Sequence, residues 1–177
     1  MPRLPSPEMG FRFSDDLGAA GFSWIADERM TRTSHALASG GKVWLVDPVA
    51  WPDAIDRARS LGEPAAVLQL LDRHNRDSAA IATQLGVPHL VVPSGLPEAP
   101  FEVVEVRRSR RWQEIALWWP ERRTLVVAEA LGTNAFFPVG DDRVGVHGLL
   151  KPRSWRRRAR GARVARDASG PPRAPVD

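Results

Sequence analysis

The stretch Ala65–Pro88, AAVLQLLDRHNRDSAAIATQLGVP, decides how the rest of the chain is read. Ala65–Leu71 is a continuous apolar run bounded by Pro64 and Asp72, the pattern of a strand buried on both faces and therefore central in its sheet. Asp72-Arg73-His74-Asn75-Arg76-Asp77 is a polar loop. A short helix over Ser78–Leu85 follows, with Ile81 and Leu85 one turn apart and Gly86 as its stop, and then a strand over Val87–Val92. Strand, loop, helix and strand in one unit mark an α/β protein, and such proteins place their sites in the loops at the carboxyl ends of buried strands.

Upstream, Phe22–Ala26, Ser34–Ala38 and Val43–Val46 alternate as short strands, the last two joined by the hairpin-forming turn Ser39-Gly40-Gly41-Lys42. Asp47-Pro48 ends the third strand. Pro52 stands at the start of a helix over Asp53–Ser60, with Ile55, Ala58 and Leu61 on one face and Gly62 as its stop. Residues 1–21 hold three Pro and three Gly with little apolar periodicity and read as a loose lead-in. Downstream of the Pro-rich link 93–100, Val103–Val106, Ile115–Trp119 and Thr124–Ala128 read as three more strands, and 133–146 as irregular with at most one short helix.

The chain has 177 residues, 43% of them hydrophobic and 26% charged, which suits one globular domain with tails. With no Cys, a disulfide framework, a Cys zinc cluster and a cysteine nucleophile are excluded, so any metal must be held by His, Asp or Glu. The apolar runs are far shorter than the roughly 20 residues of a membrane span, and MPRLPSPEMG lacks an apolar signal core, so a soluble, cytoplasmic protein without a membrane span is expected. Of the net charge of +4, residues 1–150 contribute −3 (16 Lys/Arg against 19 Asp/Glu) and residues 151–177 contribute +7 (nine against two). The basic character therefore belongs to the tail. Three segments are expected: the lead-in 1–21, a domain over 22–150 and a flexible basic tail over 151–177.

Two readings of the polar loop stay open on its residues alone. Asp72, His74 and Asp77 can converge as hard-metal or zinc ligands. Alternatively, the two aspartates cap the helix or pair with Arg73 and Arg76, leaving His74 an ordinary loop histidine. The arrangement resembles the metallo-β-lactamase-fold hydrolases from about Phe22 to Thr133. The likeness rests on a meander closing in VWLVD at Asp47, a helix leading to the second apolar strand and its polar loop, a helix followed by LGVP, and a later strand pair ending in LVVAEALGT. That resemblance implies a shortened αββα-sandwich with mixed sheets and most of the family's second αβ half missing.

Aligned without gaps, the family's H-x-H-x-D-H loop falls on Asp72–Asp77 and keeps only its second histidine, His74. By the same resemblance Asp47 supports the loop from behind, and Glu129 stands where a metal-bridging Asp belongs. Arg76 replaces the Asp of the second metal, and Arg110, within RRSRRW, lies near the place of the next histidine ligand. His147 in GVHGLL lies too near the end of the body to be equated with the final one. The ligands left are Asp72, His74, Asp77 and Glu129, without an assignable catalytic residue. Since an arginine cannot be a ligand and its fixed charge opposes a dication, the expectation is a chain with no tightly bound cofactor, and the alternative is one zinc or iron on some of those four.

Two functions follow from the resemblance. One is a hydrolase-like protein with an eroded metal motif, acting on an ester, thioester or phosphoester of an unknown small molecule if active. The other is a non-catalytic binding or scaffold protein of the same fold. A third rests on the tail, where Arg156, Arg157, Arg158 and Arg160 around Trp155 suit non-specific, salt-sensitive polyanion or nucleic-acid contact, against the simpler reading of a solubilising extension. His35 and His89 read as structural. No G-x-S-x-G surrounds Ser34, Ser78 or Ser94, and no glycine-rich phosphate fingerprint occurs. Trp118 and Trp119 are adjacent and so face opposite sides of their strand, which leaves at most one for a surface platform.

Overall fold

A computed structural model describes residues 10–28, 31–132, 144–148 and 150. The elements in chain order are β1 (Gly10–Asp16), β2 (Gly21–Asp27), β3 (Thr33–Ser39), β4 (Lys42–Val46), α1 (Pro52–Leu61), β5 (Glu63–Gln69), α2 (Ser78–Leu85), β6 (His89–Val91), β7 (Glu102–Ser109), β8 (Trp112–Trp119), β9 (Thr124–Val126), β10 (Leu131–Gly132) and β11 (Gly145–Val146). The protein is mixed α/β and mostly sheet.

The chain divides into two units, residues 1–129 and 130–177. In the first, β1 to β6 form one sheet in sequence order. Its first four strands are antiparallel, and β5 and β6 are each added in parallel after a helix. The β3–β4 hairpin closes on Gly40 and Gly41, both at positive φ (58° and 77°), as a two-residue primed turn demands. Pro52 opens α1, where its missing N–H is of no consequence. An antiparallel sheet of β7, β8 and β9 follows.

The alternation of each strand divides its side chains between two cores. One joins Trp44, Val46, Ala66, Leu68 and Leu70 to Ile115, Leu117 and Trp119 of β8. The other packs Phe22, Trp24, Leu45 and Val67 against Ala54, Ile55 and Ala58 of α1 and Ile81 and Ala82 of α2. β5 is thus buried on both faces as expected, although it lies second from the edge of its sheet and not at its centre. Beyond β5 the chain runs on beside β8: Ile115 N–H donates to Leu70 O at 2.9 Å, Asp72 N–H to Gln113 O at 3.0 Å, and Leu71 bridges Glu114. This junction fixes the origin of the polar loop.

The lead-in differs from expectation. Order begins by Gly10, because Phe11 and Phe13 alternate onto one face and close on Trp51, with ring centroids 5.4 and 4.5 Å away. The domain expected over 22–150 is divided after Glu129, and the described part of the second unit is the short β10–β11 pair, with His147 just beyond it. The tail, with Arg156, Arg157, Arg158 and Arg160, lies outside the described residues, as do 133–143 and 1–9. Among the described residues no helix is long and apolar enough to cross a membrane.

Candidate functional site

The site is built where β4 and β5 end side by side. Asp47 follows β4 at φ 44°, a left-handed conformation that Asp tolerates better than most residues, and its side chain is buried. Its carboxylate has two duties. Oδ1 accepts Leu70 N–H at 3.0 Å, and Oδ2 faces His74 Nδ1 at 3.0 Å. Asp47 thus bonds the loop's histidine directly. Across the ring, His74 Nε2 faces Glu129 Oε1 at 3.2 Å. Arg73 donates from Nη2 to Glu129 Oε2 at 2.8 Å and lays its guanidinium 4.7 Å over the Trp112 ring.

A histidine with a carboxylate oxygen at each ring nitrogen satisfies both contacts only as an imidazolium, donating twice. Burial opposes that charge, but the hydrogen bonds and fields of Asp47 and Glu129 outweigh it, so the His74 pKa is raised. Glu129 responds in the other direction. The bond from His74 and, against its partial burial, the bond from Arg73 pull its pKa down to about 2. The result is a closed acid–base cluster, in which His74 keeps no lone pair for a substrate proton or a metal.

Arg76 enters the cluster from behind. It sits at φ 39°, half-buried, and Nη1 donates to the carbonyls of Thr33 and Asp47, the latter at 2.6 Å. Burial lowers its pKa, and among the described residues its Nε has no hydrogen-bond partner. One guanidinium thus ties the start of β3 and the end of β4 to the loop.

Of the four expected ligands, His74 and Glu129 meet, and Asp72 and Asp77 are taken elsewhere. Asp72 Oδ2 accepts Gln113 N–H at 3.3 Å while its Oδ1 is buried without a partner among the described residues. Asp77 precedes α2 but makes no capping bond; its Oδ2 accepts Ala50 N–H at 2.8 Å and holds the β4–α1 connection. Arg110 is corrected as well: it lies in the exposed turn between β7 and β8, not among the site residues.

Glu114 escaped the sequence reading. Fully buried, it accepts Trp112 Nε1–H at 2.7 Å and Glu129 N–H at 2.8 Å and so sets the backbone from which Glu129 reaches His74. Its signal was a lone carboxylate inside the apolar alternation WQEIALWW. Gln69, also buried, donates to the carbonyls of Leu71 and Asp72 and meets His89 through Oε1, which gives His89 the structural role expected. His35 likewise bonds Ser23 Oγ at 2.8 Å.

A metal does not fit this donor set. His74 spends both nitrogens in opposite directions, and among the described residues no group of three His, Asp or Glu side chains converges so as to hold an ion. Charge agrees with geometry: the Asp47 carboxylate already faces His74, the Glu129 carboxylate faces His74 and Arg73, and Arg76 adds a further fixed positive charge behind them, which opposes a dication.

No protein-family model and no curated protein matches the chain. Among solved structures it is similar to the crystal structure of the B3 metallo-β-lactamase BLEG-1, with a TM-score of 0.47 and 11% identity, covering 80% of this chain and 81% of that one.

Proposed function

We propose that this chain is a non-catalytic binding protein on a shortened αββα-sandwich of metallo-β-lactamase type, in which a metal-free cluster of Asp47, His74, Glu129, Arg73 and Arg76 replaces a hydrolytic centre. The observation that carries the reading is the double engagement of His74. A hydrolase of this kind needs an imidazole lone pair on a metal or a base free to take a proton from water. Here both are consumed inside the protein. The competing reading, hydrolysis of an ester, thioester or phosphoester by a metal on Asp72, His74, Asp77 and Glu129, would need Asp72 and Asp77 to abandon the backbone N–H groups they accept.

Metal analysis tests the proposal. Protein purified from medium supplemented with zinc and iron is expected to carry neither in stoichiometric amount, and zinc added to it is expected to leave its melting temperature unchanged, since an ion that binds the folded state alone must raise it. Stoichiometric metal that disappears in His74→Ala would overturn the reading.

A further inference from the structure

We propose that the tip of the β7–β8 hairpin, through Arg107, Arg110 and Arg111, is a docking surface for the phosphodiester backbone of a nucleic-acid duplex. The pairing Ser109↔Trp112 closes the hairpin on Arg110 and Arg111, and the run Arg107-Arg108-Ser109-Arg110-Arg111 puts four guanidinium groups on its last turn. All four side chains are exposed. Arg108 is paired with Glu105 at 2.7 Å, whereas Arg107, Arg110 and Arg111 have no ion pair or side-chain hydrogen bond among the described residues. Like charges held this close repel one another, and an exposed hairpin end gains nothing in stability from them.

Their placement suits a phosphate row. Arg107 stands three residues from Arg110, about 10 Å at about 3.4 Å per residue, and Arg111 doubles back beside Arg110 at the turn, so the three arginines span about 10 Å, the rise over which one strand of a duplex presents about three phosphates. The guanidinium fork matches phosphate oxygens in pairs. Arg107 pairs with Glu114 across the hairpin and so shares the face on which Arg73 covers Trp112, which extends the basic edge towards the cluster. Trp112 is only 5% exposed and lies beneath Arg73, so no ring is offered to an unstacked base, and recognition falls to the backbone rather than to sequence. The tip carries no apolar side chain to enter a bilayer. This surface names a partner class for the binding role proposed above and rests on that reading only in that the duplex is held and not cut.

The experiment uses the full chain, with Arg156, Arg157, Arg158 and Arg160 all changed to Ser so that the tail does not mask the hairpin. Anisotropy of a labelled duplex of about 20 base pairs is followed from about 50 to about 200 mM salt. Adding Arg107→Ser, Arg110→Ser and Arg111→Ser is expected to reduce the slope of log K against log salt by about 2.7, which is 0.9 for each of three lost phosphate contacts. Arg59→Ser, equally exposed on α1, is expected to leave the slope unchanged. An unaltered slope in the triple variant overturns the proposal, as does binding to phosphatidylserine vesicles with none to the duplex. Metal-dependent cutting of the duplex would instead sink the non-catalytic reading and leave the salt slope standing.

Discussion

Asp47 is the residue on which the cluster turns, and comparing Asp47→Ala with Asp47→Asn isolates what its carboxylate does. Alanine leaves the buried Leu70 N–H without an acceptor, for which about 1 to 3 kcal/mol is typical, and removes a charge-assisted bond to His74 of similar size. It must also hold φ 44° without the local hydrogen bonding that eases Asp and Asn into that region, at a further 1 kcal/mol or so. These contributions share partners and do not simply add, so about 3 to 5 kcal/mol is expected, a large part of the roughly 5 to 15 kcal/mol that holds a domain together. Asparagine is close in shape and tolerates the same φ. Its oxygen still accepts from Leu70, and its amide can donate to His74 Nδ1 once the ring is neutral and donates from Nε2 to Glu129, so the loss is expected to stay below about 1.5 kcal/mol. Urea unfolding of the three proteins measures both differences. Equal losses in the two variants, or an Asp47→Ala protein within about 0.5 kcal/mol of the parent, would refute the assignment of Asp47 as the buried anchor.

Two further outcomes follow from the same bonds. Burial pushes the His35 imidazole down to about 4 from 6.5, so between those values the unfolded chain binds more protons and stability falls as pH falls; His35→Gln is expected to flatten that part of the profile in pH-dependent urea melts. Glu129, held at about 2 against an ordinary 4.5, adds a second loss below pH 4.5, whereas the raised His74 contributes stability that is present below 6.5 and lost as pH rises through its folded pKa. A stability that is flat from pH 7 to pH 3 would contradict both acid-side assignments. Arg76→Met takes the Nη1 donor from the carbonyls of Thr33 and Asp47, the second of which still accepts Ser34 Oγ–H at 3.0 Å, and relieves one unpartnered Nε, so a net loss of about 1 kcal/mol is expected by the same unfolding assay, with Arg76→Lys intermediate. A Met variant as stable as its parent would mean that the guanidinium holds nothing.

What the sequence disclosed depended on how local each signal was. The Gly40-Gly41 hairpin, the Pro52 start of α1 and the helix Ser78–Leu85 are written in adjacent residues and were read to within a residue or so. β1 was hidden because part of its packing is remote: Phe11 and Phe13 close on Trp51, 40 and 38 positions away in the chain, while Phe13 also meets Phe22 of the neighbouring β2. The site was legible at Asp47, whose place at a strand end before Pro48 is local, and at His74. It was not legible at Asp72 and Asp77. Six consecutive polar residues say which groups are at hand but not which way they face, and the backbone N–H groups of Gln113 and Ala50 settle that from distant segments. Glu114 and the true place of Arg110 were lost to the same cause, since both depend on the register of β7 against β8.

The strained residues show what this cluster can sustain. Asp47 and Arg76 both lie at positive φ, where each non-glycine residue is disfavoured by about 1 to 2 kcal/mol, and they are joined by the bond from Arg76 Nη1 to Asp47 O. Strain of about 2 to 4 kcal/mol in one corner persists only if something local offsets it. The bonds from Asp47 to Leu70 and His74 and from Glu129 to His74 are charge-assisted contacts of about 1.5 kcal/mol or more each, enough to do so without an ion, and the exposed Arg73–Glu129 pair adds up to about 1 kcal/mol. What the strained corner holds in place is the loop that runs from Leu70 to Asp72 along β8, immediately below the Arg110–Arg111 turn. On the proposed reading, this corner serves to brace a basic hairpin. Loosening the corner through Asp47→Ala should then weaken duplex binding even though Asp47 touches no phosphate, whereas Asp47→Asn should bind as the parent does. Equal binding by all three, with Asp47→Ala folded, would separate the corner from the hairpin and end that connection.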